Sequence, residues 1–293
     1  FSEETRERVL AVARDKGYRP YRSARAMVKQ RHGALTLLVD NLGTVPDLAL
    51  WWLLEHAADR GILLHLERID RSGRELPLAV RERTSDGVIA FQDLSPAIHE
   101  AIAHIELPSL WVNCDLPSGP NVLRYNEHDA AQRAGELLCR DQARTLYLQQ
   151  APGTNYWHQE RWAGIQQAAK RAGCPAPRCA ATPEELWAAV DSASEKHPVG
   201  IVMTDRKLFA KVPMRAVRAG IPIPSALAVI VLAPEVRHTE DLDPHMASLT
   251  IDTNRLAQRI LEYFDTCGTT TPVAMEPVRY DDLDAGETTP PAP

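Results

Sequence analysis

The 293-residue chain predicts an α/β fold of two doubly wound parallel-sheet subdomains, and three observations carry that expectation. From Leu35 onward, short apolar runs alternate with amphipathic stretches, the pattern of parallel sheets covered by helices on both faces. The alternation breaks near residues 141–145 and restarts, which suits a length of two core-forming units at roughly 100–200 residues each. The composition is that of a folded globular chain, 44% apolar and 25% charged, with a mean hydropathy of -0.28.

The elements follow in order. Ser2 is a good N-cap, Glu3 and Glu4 sit in the first turn where the helix dipole favours anions, and Gly17 is a natural stop, so residues 2–16 predict a helix. Its stripe of Val9, Leu10, Val12 and Ala13 is too narrow to be a core and must pack on something else. Tyr18-Arg19-Pro20-Tyr21 reads as an extended joint, because the residue before proline avoids the α region. Ser23 can then cap a second short helix over residues 24–31. Leu35–Val39, Ile62–Leu66, Gly87–Phe91, Ser109–Val112 and Asn121–Arg124 read as strands, with helices at Leu48–Arg60, Leu94–His104 and Glu127–Cys139. After the break, strands are expected at Thr145–Gln149, Val199–Met203 and Leu227–Val231, and helices at Glu160–Ala172, Pro183–Lys196 and Pro213–Ala219. Ser248–Ile251 precedes a helix over residues 253–266 and a last strand around Val273–Arg279, and the acidic, Pro-rich residues 281–293 are expected to fray.

Charge is unevenly placed. The net charge is -6, but residues 1–33 carry nine Lys/Arg against four acids, a net +5 that leaves -11 for the remainder. Between Arg14 and His32 lie seven basic residues and one acid, Asp15. Such a stripe can neutralise phosphates, or it can be a solvated helix face. No apolar run reaches the roughly 18 residues of a spanning helix, and the opening Phe-Ser-Glu-Glu-Thr lacks signal-peptide order, so a cytoplasmic protein without membrane contact is expected. The five cysteines, Cys114, Cys139, Cys174, Cys179 and Cys267, form no C-x-x-C pair and read as reduced and structural. There is no G-x-S-x-G elbow, Gly-rich phosphate loop or H-E-x-x-H, which argues against an enzyme and implies no cofactor. The His238–His245 stretch resembles a metal site only in composition; Pro244 and the irregular spacing make it a loop, and no metal is expected.

Ser2-Glu3-Glu4-Thr5-Arg6-Glu7-Arg8-Val9-Leu10, Gly17-Tyr18-Arg19-Pro20, Ala24-Arg25-Ala26-Met27 and Gly33-Ala34-Leu35-Thr36-Leu37-Leu38-Val39 together resemble the N-terminal region of the lactose-repressor/galactose-repressor (LacI/GalR) transcription factors. The resemblance implies a type I periplasmic-binding-protein-like core with a hinged cleft and three crossovers, preceded by a DNA-binding domain. Residues 1–17 would be the residual third helix of a helix-turn-helix, whose first two helices are expected upstream of Phe1, and residues 18–33 the hinge. Residues 34–143 and 248–269 would form the core N-subdomain, 144–247 and 270–285 the C-subdomain, and 286–293 a tail. It implies a repressor that binds operator DNA as a homodimer, since a lone hinge helix of about eight residues is unstable, under control of a sugar-like effector between the subdomains.

Site residues follow from the same resemblance. Ala24 and Met27 match the apolar wedges that enter the minor groove, where Met27 replaces the usual Leu, and Arg22, Arg25, Lys29 and Arg31 would face phosphates. The alternative is that Ala24 and Met27 pack on the partner hinge or the core. Arg161, in Glu160-Arg161-Trp162-Ala163-Gly164, matches the arginine that grips the effector, or else is a surface helix residue. Thr204-Asp205 stands where relatives have Asn-Asp, Asn113 where many have Asp, and Ala233 where relatives carry the effector-binding acid, which puts a typical neutral-sugar effector in doubt. Asn41, Trp157, His158, Trp162 and Arg206 would then supply a different cleft, the tryptophans either stacking on a ligand or filling the core. The rivals are a periplasmic-type solute-binding protein, an α/β enzyme and a regulator that no longer senses anything; the basic segment disfavours the first.

Overall fold

In the computed structural model, the described residues are 2–18, 28, 31–39, 45–69, 75–91, 93–117, 119–150, 153, 155–205, 208–235, 243–267 and 274–291. The first helix, α1 (Glu3–Asp15), forms as its punctuation dictates. The Ser2 hydroxyl accepts the Thr5 N–H, and Gly17 at φ +63 ends the helix with paired bonds, Gly17 N–H to Arg14 O and Tyr18 N–H to Ala13 O. No α1 residue is buried, and Val9, Leu10 and Val12 stand exposed.

The chain then alternates: β1 (Ala34–Val39), α2 (Asp47–Asp59), β2 (Leu63–Arg68), the single turn α3 (Leu78–Arg81), β3 (Val88–Ala90), α4 (Pro96–His104), β4 (Ser109–Val112), β5 (Val122–Leu123) and α5 (Glu127–Leu138). These five strands form one sheet in the order β2-β1-β3-β4-β5. A second run follows: β6 (Thr145–Gln149), α6 (Tyr156–Arg171), β7 (Arg178–Cys179), α7 (Pro183–Asp191), β8 (Val199–Met203), α8 (Lys211–Arg218), β9 (Leu227–Leu232), β10 (Ala247–Thr250), α9 (Thr253–Thr266) and β11 (Asp282–Asp284). Its six-stranded sheet has the order β11-β10-β9-β8-β6-β7, parallel except for the β10–β11 pair. The expected two-sheet, parallel-dominated α/β fold is therefore present. By internal contacts the chain divides into two compact units, one of Phe1–Asp40, Ala57–Ile89 and Leu94–Ser109, the other of Asn41–His56, Ala90–Asp93 and Leu110–Pro293.

The uniformly buried strands are those read as unbroken apolar runs. β1, β8 and β9 are buried along their whole length, as parallel strands flanked on both sides must be. In the second unit Ile201, Met203, Val229 and Val231 pack with Leu186 and Val190 of α7 and Val212 and Ala216 of α8 in one core. Side-chain caps set the helix starts. Asn126 opens α5 and Asp252 opens α9, while Thr182 and Glu185 form a reciprocal capping box on α7, whose Pro183 lies in the first turn.

Two expectations fail at the C-terminus. The strand around Val273–Arg279 shrinks, among the described residues, to one bridge between Tyr125 and Val278, because Pro277 has no N–H with which to extend a ladder. Conversely, residues 282–291 do not fray. β11 pairs with β10, and the buried Thr288 works as an extra rung: its hydroxyl accepts the Ala247 N–H at 2.8 Å and donates to Val229 O at 2.7 Å, while its carbonyl accepts the Val229 N–H at 2.7 Å. Backbone groups that would otherwise be orphaned inside the unit are satisfied there. Boundaries shift elsewhere too: α6 starts four residues earlier than expected, at Tyr156, and α7 ends at Asp191 rather than Lys196.

α5 and α6 approach unusually closely. A Cβ on Gly164 would sit 2.3 Å from His128 O and 2.9 Å from Gln132 N, both backbone atoms of α5, and a Cβ on Gly135 would meet the Ala168 Cβ at 2.6 Å. We expect Gly164→Ala to force the helices apart and lower the unfolding free energy by about 1–3 kcal/mol, read from urea denaturation. The opposite sign is expected at Glu106, which ends α4 at φ +53 with the paired bonds that glycine makes in α1, Glu106 N–H to Ala103 O and Leu107 N–H to Ile102 O. Glu106→Gly removes the left-handed penalty at the cost of a more flexible unfolded chain, a net gain of about 0.5–1 kcal/mol in the same assay.

Candidate ligand-binding site

A polar cluster of the second unit lies where β4 and β5 end and α5 and α6 begin. Glu127, the first residue of α5, is fully buried, and Arg161, one turn into α6, is 12% exposed at its side chain. The two form a forked pair, with Arg161 Nε donating to Glu127 Oε2 at 2.7 Å and Nη2 to Oε1 at 2.9 Å. The Tyr280 hydroxyl donates to the same Oε1 at 3.1 Å, and its carbonyl accepts from Arg133 Nη1 at 2.6 Å. Burial by itself would lower the Arg161 guanidinium, but the Glu127 carboxylate outweighs it and holds Arg161 above its ordinary value. Burial pushes the Tyr280 phenol well up, so it stays a protonated donor.

A second group adjoins the first. Asn113, just past β4 at φ +53, places Oδ1 where it accepts both the Tyr156 hydroxyl and the Tyr125 N–H. Tyr156 opens α6; its N–H donates to Asp115 Oδ1 at 3.0 Å, and the Arg124 guanidinium stacks 4.3 Å from its ring centre. Burial, then the nearby Glu127 carboxylate, raises the Tyr156 phenol, and burial does the same to Tyr125. Trp157 meets Tyr156 and His158 edge to face, and burial followed by Arg161 lowers His158, favouring the neutral imidazole.

The sequence-predicted residues are thus distributed unevenly. Asn113, Trp157 and Arg161 fall within this cluster or beside it. Asp205 lies at another strand end, after β8, where its N–H and that of Thr204 donate to Gln149 Oε1 at 2.9 and 3.2 Å. Trp162 is half-buried on α6. Asn41, Arg206 and the arm residues Arg22, Ala24, Arg25, Met27 and Lys29 lie outside the described residues. Ala233 is buried, and the acid nearest to it in sequence, Glu235, is buried too and accepts the Leu48 N–H at 2.6 Å, capping α2. Sequence reasoning missed Glu127, Tyr280, Tyr125, Tyr156 and Arg124. The available signal was position: an acid directly after the cap Asn126, and aromatics at strand ends, where open α/β sheets bind ligands.

Chemically the cluster is a rigid array of donors and acceptors. Burial, then Asp93, pushes the Cys114 thiol far above the ordinary range, and the Glu127 carboxylate is spent on Arg161 and Tyr280. Among the described residues no group of three His, Cys, Asp or Glu could hold a metal ion, and no helix is long and apolar enough to cross a membrane. At the other end of the chain, in the first unit, the arm joins β1 through one carboxylate: Asp86 accepts the N–H groups of His32 and Gly33 at 2.7 Å each and of Ala34 at 3.3 Å.

Comparison with solved structures finds many of the same fold. The Lac repressor bound to ONPG in its repressed state is similar at a TM-score of 0.74 and 16% identity, over 99% of this chain and 92% of that one. The transcriptional regulator CelR in complex with cellobiose gives 0.68 and 17%, over 98% and 91%. A LacI-family sugar-binding transcriptional regulator from Escherichia coli, complexed with phosphate, gives 0.63 and 16%, over 88% and 98%. Comparison with curated proteins finds no match. The family model described as periplasmic binding protein-like domain matches residues 137–289, more than half of the chain, and the chain belongs to that family.

Proposed function

We propose that the chain is the effector-binding body and DNA-proximal arm of a LacI/GalR-type transcription regulator, a cytoplasmic repressor that binds operator DNA as a homodimer and is controlled by a sugar or sugar derivative. The observation that carries this reading is the fusion of a basic arm, with seven Lys/Arg between Arg14 and His32, to a periplasmic binding protein-like core of net charge -11. Phosphates repel such a body and attract such an arm, so only the arm can approach a duplex. Similarity to solved structures described as transcription regulators, one with cellobiose and one with ONPG, supports the same reading.

In this mechanism Ala24 and Met27 wedge the minor groove while Arg22, Arg25 and Lys29 contact phosphates. The effector sits at the Asn113–Trp157–Arg161 cluster, with Asp205 and Asn41 as further contacts. Control is linkage: the effector binds one arrangement of the core more tightly than the other and so shifts the arm between operator-competent and incompetent states. The site lacks the acid that Ala233 replaces, and the guanidiniums of Arg161 and Arg124 dominate it, which favours a ligand rich in acceptor oxygens.

The reading is tested by thermal shift against a panel of sugars, sugar phosphates and nucleosides. At least one sugar or sugar phosphate is expected to raise Tm in proportion to the logarithm of its concentration; stabilisation by nucleosides alone overturns the sugar assignment. Arg161 separates binding from folding. Arg161→Met alone leaves Glu127 buried without its cation and should cost about 3–5 kcal/mol in urea denaturation, whereas Arg161→Met with Glu127→Leu should recover most of that loss. If Arg161 grips the effector, the recovered double variant still binds at least tenfold more weakly, the scale of one charged hydrogen bond.

A further inference from the structure

The five cysteines are free, yet two of them, 35 positions apart, touch. Cys139 caps the C-terminal end of α5, and Cys174 follows Gly173 at the end of α6; their sulfurs lie 2.9 Å apart, inside van der Waals contact, and both side chains are half-buried. The same close packing that Gly164 and Gly135 permit brings these two helix ends together. Beside them the buried Arg144 is fixed by Leu138 O, Ser225 O and both oxygens of Asp141, and its own N–H donates to Cys174 Sγ at 3.4 Å. Cys114 is buried elsewhere, under Ala90 and Val112, and takes no part.

We propose that Cys139 and Cys174 are a redox modification site, a dithiol that closes to a reversible disulfide and staples the C-terminal ends of α5 and α6. The sulfurs need to approach by only about 0.9 Å to reach the S–S bond length of about 2.05 Å. The inference is independent of the regulatory reading. The roles of the two thiols differ. The Arg144 N–H points at Cys174 Sγ, the two thiols share one hydrogen bond in which either can donate, and burial, then that bond, pushes Cys139 up to about 12 despite the opposing pull of Arg144. Cys174 is therefore the attacking thiolate and Cys139 the resolving thiol. With a peroxide as oxidant, Cys174 sulfur attacks one oxygen, the O–O bond breaks, and hydroxide leaves behind a sulfenic acid. Cys139 sulfur then displaces the second hydroxide from Cys174, forming the S–S bond. The two thiol protons convert both hydroxides to water, so two thiols are oxidised by two electrons in total and one peroxide is reduced by two.

The test treats the purified, fully reduced chain with hydrogen peroxide, blocks remaining thiols, and maps linked peptides by mass spectrometry. The expected result is a Cys139–Cys174 linkage, loss of two of the five titratable thiols, full recovery with dithiothreitol, and a higher Tm for the oxidised form. Two variants assign the roles. Cys139→Ser should stop at a dimedone-reactive sulfenic acid on Cys174, and Cys174→Ser should give neither linkage nor adduct at Cys139; circular dichroism confirms that both are folded. Five titratable thiols after oxidation, or a linkage through Cys114, Cys179 or Cys267, overturns the site, and a dimedone adduct on Cys139 in Cys174→Ser overturns the order of attack.

Discussion

The distance between α5 and α6 is the constraint on which the second unit rests. Glycine at 164 lets the α6 backbone ride against His128 O, and Glu127 precedes His128 while Arg161 lies one turn before Gly164 on the same face of α6. The approach that removes a Cβ contact therefore also sets the reach of the forked Arg161–Glu127 pair. Burying two charges gives little net stability, because desolvation takes back most of the Coulombic attraction. What such a pair supplies is geometry: with Tyr280 as third partner, it leaves one arrangement of α5, α6 and the returning C-terminal segment in which no buried charge is orphaned.

Tyr280 extends that constraint to the end of the chain. Its ring packs edge to face on Tyr125, and two residues earlier Val278 bridges the same tyrosine. Past it, β11 and Thr288 complete the ladder of β9 and β10. A segment whose composition is acidic and proline-rich is thus held by partners distant in sequence. Composition reports what a segment can do alone, and here the decisive bonds come from the central strands.

Legibility in the sequence followed the range of the interactions. Helices with local signals were readable nearly to the residue: Ser2 and Gly17 bound α1, and α9 runs from Thr253 to Thr266 as the periodicity requires. The central strands were readable because burial on both faces leaves an unbroken apolar run, as in Leu227–Leu232. What escaped were the two-residue edge strand Arg178–Cys179, too short to carry a pattern, and residues 282–291. The candidate site was half legible. Arg161 stood out because its segment resembles a known one, but Glu127 reads in sequence as an ordinary first-turn acid at a helix N-terminus. Only its burial, which no local pattern encodes, turns it into the partner of Arg161.

The position of Glu235 shows how the fold can take up a buried carboxylate at a helix end. Ala233 and Pro234 stand where acids are expected from the resemblance, and Ala233 is buried. Two residues on, Glu235 is also buried, but it accepts the Leu48 N–H and so works as a cap on α2. A carboxylate committed to a helix end loses part of its capacity to accept ligand hydroxyls. The polar character of the cluster consequently shifts toward its donors, the guanidiniums of Arg124 and Arg161, the latter held protonated by the Glu127 carboxylate. Asn113 reinforces the shift, since an amide at that strand end contributes N–H donors where a carboxylate could only accept.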